Sequence, residues 1–115
     1  MSANAFGKRI QELRLAKNIS QRELATKADM DFTYLSKIEN GRMPAPRKDV
    51  IERLAKELDG DLNELMVLGG MTTPGIEQAV QKSESARRFL FRHAAHLSDA
   101  EWEELLKKYE KDKAK

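Results

Sequence analysis

Glycine and proline cut this 115-residue chain into short lengths, with breaks at Gly41, Pro44, Pro46, Gly60, Gly69, Gly70, Pro74 and Gly75. Between the breaks the apolar residues recur at helical spacing, and no strand-like alternation lasts long enough to count. The fold class that follows is all-α, made of short helices. A first helix is expected from about Ala5 to Lys17, with Phe6, Ile10 and Leu13 on one stripe and Asn18 suited to the left-handed position after it. Ser20-Gln21-Arg22-Glu23 has the form of a capping box and opens a second helix that runs to about Ala28. After a turn at Asp29-Met30-Asp31, Asp31 caps a third helix, about Phe32 to Asn40. This helix buries Leu35 and Ile38 and ends at Gly41. A fourth helix, about Arg47 to Leu58, carries Ile51, Leu54, Ala55 and Leu58 at the spacing of a core-facing face, and Gly60 stops it. Asp61 caps a short fifth helix with Leu62, Leu65 and Met66.

The Gly69 to Gly75 stretch is the expected linker. It divides the chain into a domain over residues 1–70 and a C-terminal helical segment over residues 71–115. Within the segment, Thr73 with Pro74 can open one helix and Ser83 can cap another. Ser98-Asp99-Ala100-Glu101 is a second capping box, followed by Trp102, Leu105, Leu106 and Tyr109 on one stripe. Lys107 to Lys115 is polar enough to be expected to fray. Phe89, Phe91, Trp102, Leu105, Leu106 and Tyr109 are more large apolar groups than some forty residues can bury alone, so they mark an interface for dimerisation or for a partner, the alternative being that they pack on the first domain of the same chain.

Several function classes drop out. There is no cysteine, hence no disulfide, no thiol nucleophile and no Cys-ligated zinc. His93 and His96 stand three apart with no third ligand in view, so no metal and no cofactor is expected. No constellation of catalytic residues or phosphate loop is present, and an enzyme is the least supported class. No apolar run approaches the ~20 residues of a membrane span. With no basic region leading an apolar stretch near the start, a cytoplasmic protein with no membrane partner is expected.

Two short helices joined by a tight turn over Gln21 to Asn40, the second exposing polar side chains, describe a helix-turn-helix. With Leu35 and Ile38 pointing inward, Phe32, Thr33, Ser36, Lys37 and Asn40 point mostly outward. A helix presenting such groups fits the major groove of B-DNA.

The stretch from about Phe6 to Gly70 resembles the xenobiotic-response-element, or Cro/C1-type, helix-turn-helix regulators, with a five-helix lambda-repressor-like fold. The resemblance rests on Ile10-Gln11-Glu12-Leu13-Arg14, Ser20-Gln21-Arg22-Glu23-Leu24-Ala25, Tyr34-Leu35-Ser36-Lys37-Ile38-Glu39-Asn40-Gly41 and Leu54-Ala55. It implies that Gln21 bonds a DNA phosphate and that Phe32, Thr33, Ser36 and Lys37 face the groove. Phe32 stands where lambdoid repressors carry an adenine-reading glutamine. That departure favours apolar contact with a thymine methyl, against the alternative that the ring folds over the turn. Lys37 can donate to guanine or to phosphate. Tyr34 either stacks on the sugar-phosphate backbone or sits at the domain surface. Asn40 and Arg42 are implied backbone contacts, and Arg47 matches a position that reaches toward the minor groove. Arg14 and Glu39 match a buried ion pair, a structural role.

Net charge is only +2, from 21 basic and 19 acidic residues, but the sum hides a pattern. Residues 1–48 hold ten basic and five acidic side chains; residues 49–70 hold two and six. The helix-turn-helix is therefore basic and the fourth and fifth helices acidic, the asymmetry of a protein with one face for DNA. The expected function is a sequence-specific DNA-binding transcriptional regulator, a repressor that binds a palindromic double-stranded DNA operator as a homodimer. The alternative is an antitoxin-type protein that autoregulates through the same domain and holds a toxin or metallopeptidase partner with its C-terminal helices.

Overall fold

A computed structural model describes the backbone of residues 2–114 and the side chains of residues 5–114. Lys115 lies outside that range. The described residues form eight α-helices and one short 3-10 turn, with no strand. They divide into two compact units, Met1–Thr73 and Pro74–Lys115. The division falls just beyond Gly70, because Met71 packs against the core of the first unit and Thr73 is buried.

The first unit holds α1 (Ser2–Ala16), α2 (Gln21–Lys27), α3 (Phe32–Glu39), α4 (Lys48–Leu58) and α5 (Leu62–Leu68). Each short helix starts where a side chain takes over a backbone N–H that has no partner in the first turn. The Ser20 hydroxyl accepts from the Glu23 amide, the Asp31 carboxylate from Tyr34, and the Asp61 carboxylate from Asn63 and Glu64. The Glu23 carboxylate does not close the capping box; it lies 3.7 Å from Lys27, one turn on. α4 begins one residue later than its periodicity suggests, since Arg47 is its extended N-cap.

Chain reversals use left-handed residues. Asn18 follows α1 with φ 58°, as expected, and Gly41 follows α3 with φ 75°. α4, however, ends on Asp59 (φ 52°), not on Gly60. Aspartate tolerates this conformation, and Lys17 pairs with its carboxylate. That hydrogen bond and charge hold the Asp59 carboxyl below its usual range.

The core is one cluster: Phe6 and Ile10 from α1, Leu24, Ala25 and Ala28 around α2, Leu35 and Ile38 from α3, Val50, Ile51, Leu54, Ala55 and Leu58 from α4, and Leu65 and Met66 from α5. Removing apolar surface from water drives its formation. α1 lies close on α3. An added Cβ at Gly7 would sit 2.2 Å from the Ile38 carbonyl oxygen, so only glycine permits that approach.

The second unit holds α6 (Pro74–Lys82), α7 (Glu84–His93), a 3-10 turn (Ala94–His96) and α8 (Asp99–Ala114). The second capping box is complete: Glu101 N–H donates to the Ser98 hydroxyl, and Ser98 N–H donates to the Glu101 carboxylate. α8 does not fray at Lys107; it continues to Ala114. Lysine and glutamate are good helix formers even when exposed. None of the described helical residues of this unit is buried. Phe89 meets Trp102 edge-on at 6.3 Å and His93 at 5.3 Å. No described helix is long and apolar enough to cross a membrane.

Candidate nucleic-acid interface

α2, the turn and α3 form one bracket. Asp29 adopts φ 54° in the turn, and Met30 N–H donates to the Ala25 carbonyl at 2.9 Å. Arg53 holds the bracket from α4: its Nε donates to the Ala28 carbonyl at 2.7 Å and an Nη reaches the Asp29 carbonyl at 3.5 Å. Those carbonyls close a helix end, where a cation is favourable. The sequence does not point to Arg53, because nothing local ties residue 53 to a turn at residue 29.

The inner side of α3 is Leu35, Ile38 and Glu39, all buried. At 3.6 residues per turn the opposite side centres on Thr33, flanked by Lys37 and Asn40, and all three are exposed. Ser36 is half-buried beside them. Thr33, Ser36, Lys37 and Asn40 are thus brought onto one outward face. Arg42 continues it past the helix, exposed, with its backbone N–H on the Lys37 carbonyl at 2.9 Å.

Phe32 and Tyr34 form the two shoulders of this face, both half-buried and packed against the core. Phe32 lies toward α2, where the Arg22 guanidinium sits 4.3 Å from its ring centre. Tyr34 lies toward α4 and shares a groove with Met30, Ala45, Arg47, Val50 and Arg53.

Two of the expected contact positions are engaged within the protein. The Gln21 amide donates to Glu39 at 3.0 Å, so its side chain belongs to the network that locks α3. Arg47 is exposed and pairs with Asp49 at 2.7 Å. That bond keeps the Asp49 carboxyl below its ordinary range.

Glu39 anchors the end of α3. Arg14 donates to both its oxygens, at 2.9 and 3.0 Å, and its third group reaches the Ile19 carbonyl at 2.9 Å. Arg14 is 8% exposed and Glu39 7%. With Gln21 included, no described buried side-chain polar atom lacks a partner.

A helix-turn-helix family model matches residues 10–65, which span this bracket and its supports. An uncharacterised HTH-type transcriptional regulator of Bacillus subtilis, RghRB, is 30% identical over 89% of this chain and 81% of its own length. The chain belongs to the Cro/C1-type helix-turn-helix regulators. Similar at 26% identity, over 90% of this chain and 81% of that protein, is the repressor RghR of Bacillus subtilis. The control protein C.BamHI of Bacillus amyloliquefaciens is 37% identical over 53% of this chain and 75% of its own.

Two solved structures share the fold. The clp gene regulator ClgR of Corynebacterium glutamicum aligns with TM-score 0.53 at 19% identity, over 81% of this chain and 95% of that one. A chain of the SinR protein/SinI protein complex aligns with TM-score 0.50 at 26% identity, over 96% of this chain and 99% of that one. This helix-turn-helix protein is thus a DNA-binding transcriptional regulator.

Proposed function

We propose that this regulator is a cytoplasmic repressor that binds a palindromic operator as a homodimer, with α3 in the major groove of each half-site. The observation that carries the reading is the outward row of Thr33, Ser36, Lys37 and Asn40 on a helix anchored at both ends. Lys37 supplies base-edge donors at the middle of that row, and Asn40 and Arg42 meet the backbone. Occupying a promoter then excludes polymerase.

Selection from random duplexes gives the operator. Lys37→Ala should relax preference at one operator position and cost about 1–3 kcal/mol there. A uniform loss across all duplexes would reduce Lys37 to a phosphate contact.

Half-sites lie about 34 Å apart, which two copies span and one does not. α8 supplies a surface suited to a second copy. Trp102, Leu105, Leu106 and Tyr109 stand at i, i+3, i+4 and i+7 and all are exposed, while Phe91 on α7 is 90% exposed. The first half of α8 carries only acidic charges, Asp99, Glu101, Glu103 and Glu104, and the second half is net basic, with Lys107, Lys108, Lys111 and Lys113 against Glu110 and Asp112. An antiparallel pair of α8 helices brings opposite charges together. Light scattering on the full chain with Trp102→Asp and Leu106→Asp combined should report monomers where the parent reports dimers. An unchanged oligomer sinks this assignment.

A second reading keeps the same DNA-binding unit and gives the α8 stripe to a toxin or metallopeptidase. A solved neighbour that is itself a complex of two proteins supports it. A monomeric parent protein that copurifies with a stoichiometric partner would favour this reading over the homodimer.

A further inference from the structure

Arg22 is held differently from the other arginines of the first unit whose ion pairs are described. Arg9 pairs with Glu12 and Glu64, Arg14 with Glu39, and Arg47 and Arg53 with Asp49. Arg22, like Arg42, joins none of the described ion pairs. Its guanidinium rests over the Phe32 ring, 4.3 Å from the centroid, where a cation meets the negative face of the π-system. The contact orients the charge without neutralising it. Arg22 is exposed, and the ring beneath it is half-buried against the core, so the platform is rigid.

Phe32 opens α3, and the first residues of the recognition helix are the ones that approach base edges in this motif. Arg22 lies on α2, the helix that crosses the DNA backbone. A guanidinium lying on a ring keeps its in-plane N–H groups free, in the fork that matches two oxygens of a phosphate. One face of the ring is covered by that cation.

We propose that Phe32 is a seat that aims Arg22 at a DNA phosphate flanking the half-site. Arg22 is then a direct DNA contact, and Phe32 a positioning residue, not a reader of thymine. The proposal rests on the DNA-binding role of this protein and adds a contact and its support to it. It also gives a physical reason for an aromatic residue at a position that otherwise suits a base-reading amide.

The test uses the full chain and a fluorescent duplex recovered by selection, titrated between about 50 and 200 mM salt. Arg22→Ala should reduce the slope of log K against log salt by about 0.9 and weaken binding to selected and scrambled duplexes alike. Arg22→Lys keeps the charge but loses the planar fork, and should fall between the parent and Arg22→Ala. Phe32→Leu keeps an apolar group on the core, and its melting curve checks the fold. It should lose part of the affinity that Arg22→Ala loses, and the double variant should lose no more than Arg22→Ala alone.

An unchanged slope in Arg22→Ala overturns the proposal. So do single losses that multiply in the double variant. A Phe32→Leu loss that disappears when operator thymines are replaced by uracil identifies a methyl contact and overturns it as well. Failure of the parent protein to bind any duplex would sink the DNA-binding role itself, a result distinct from the other three.

Discussion

Arg14→Ala is expected to destabilise the first unit by about 3–5 kcal/mol, the range for removing one partner of a buried ion pair. The change strands more than one group. The Glu39 carboxylate loses both guanidinium bonds and keeps only the Gln21 amide, while the Ile19 carbonyl loses its donor. Glu39 cannot swing to solvent, because its side chain is fully enclosed. Removing both charges together, in Arg14→Met with Glu39→Gln, should cost less than Arg14→Ala alone, since no buried charge is then left unpaired. Urea melts of the two variants decide the point. DNA affinity measured on the folded fraction of Arg14→Ala should stay close to that of the parent. An Arg14→Ala protein with an unchanged melting point and no DNA binding would instead make Arg14 a direct contact.

Gln21 joins this network at a position to which the family resemblance gives a phosphate contact. Its amide completes the bonding of Glu39. A short side chain at the start of α2 reaches the end of α3 only because the bracket folds them together. Nothing within a few residues of Gln21 records that distance.

The same distinction runs through the whole molecule. Helix starts were legible because capping is local: a hydroxyl or carboxylate accepts an amide two or three residues on, as at Ser20, Asp31, Asp61 and Ser83. The stripe of α4 was legible because burial follows the helical period, and Ile51, Leu54, Ala55 and Leu58 are all buried. What escaped is what depends on two segments meeting. Arg53 grips a turn formed two dozen residues earlier, Arg22 finds the ring that opens the next helix, and Gly7 touches the far end of α3. The stop of α4 was misplaced by one residue because glycine is the usual left-handed residue and aspartate here takes that role beside Lys17.

Gly7→Ala should show the sign of that last contact. In an unobstructed helix the change stabilises, by about 0.5–1 kcal/mol, because alanine loses less backbone entropy. Here the new methyl would stand 2.2 Å from the Ile38 oxygen and 3.0 Å from the Glu39 oxygen. Both are backbone atoms, so no rotamer can yield. α1 must move off α3, and forcing an extra carbon into a packed interior costs about 1–3 kcal/mol. A net loss of stability is therefore expected. The shift also pulls at Arg14, two turns along α1, and through it at Glu39 and the end of the DNA-facing helix. Gly7→Ala should lower the urea midpoint, whereas Lys8→Ala, one residue away and exposed, should leave it essentially unchanged. A Gly7→Ala protein more stable than the parent would mean that α1 does not approach α3 this closely. The route by which the first helix holds the recognition helix in place would then have to run through Arg14 alone.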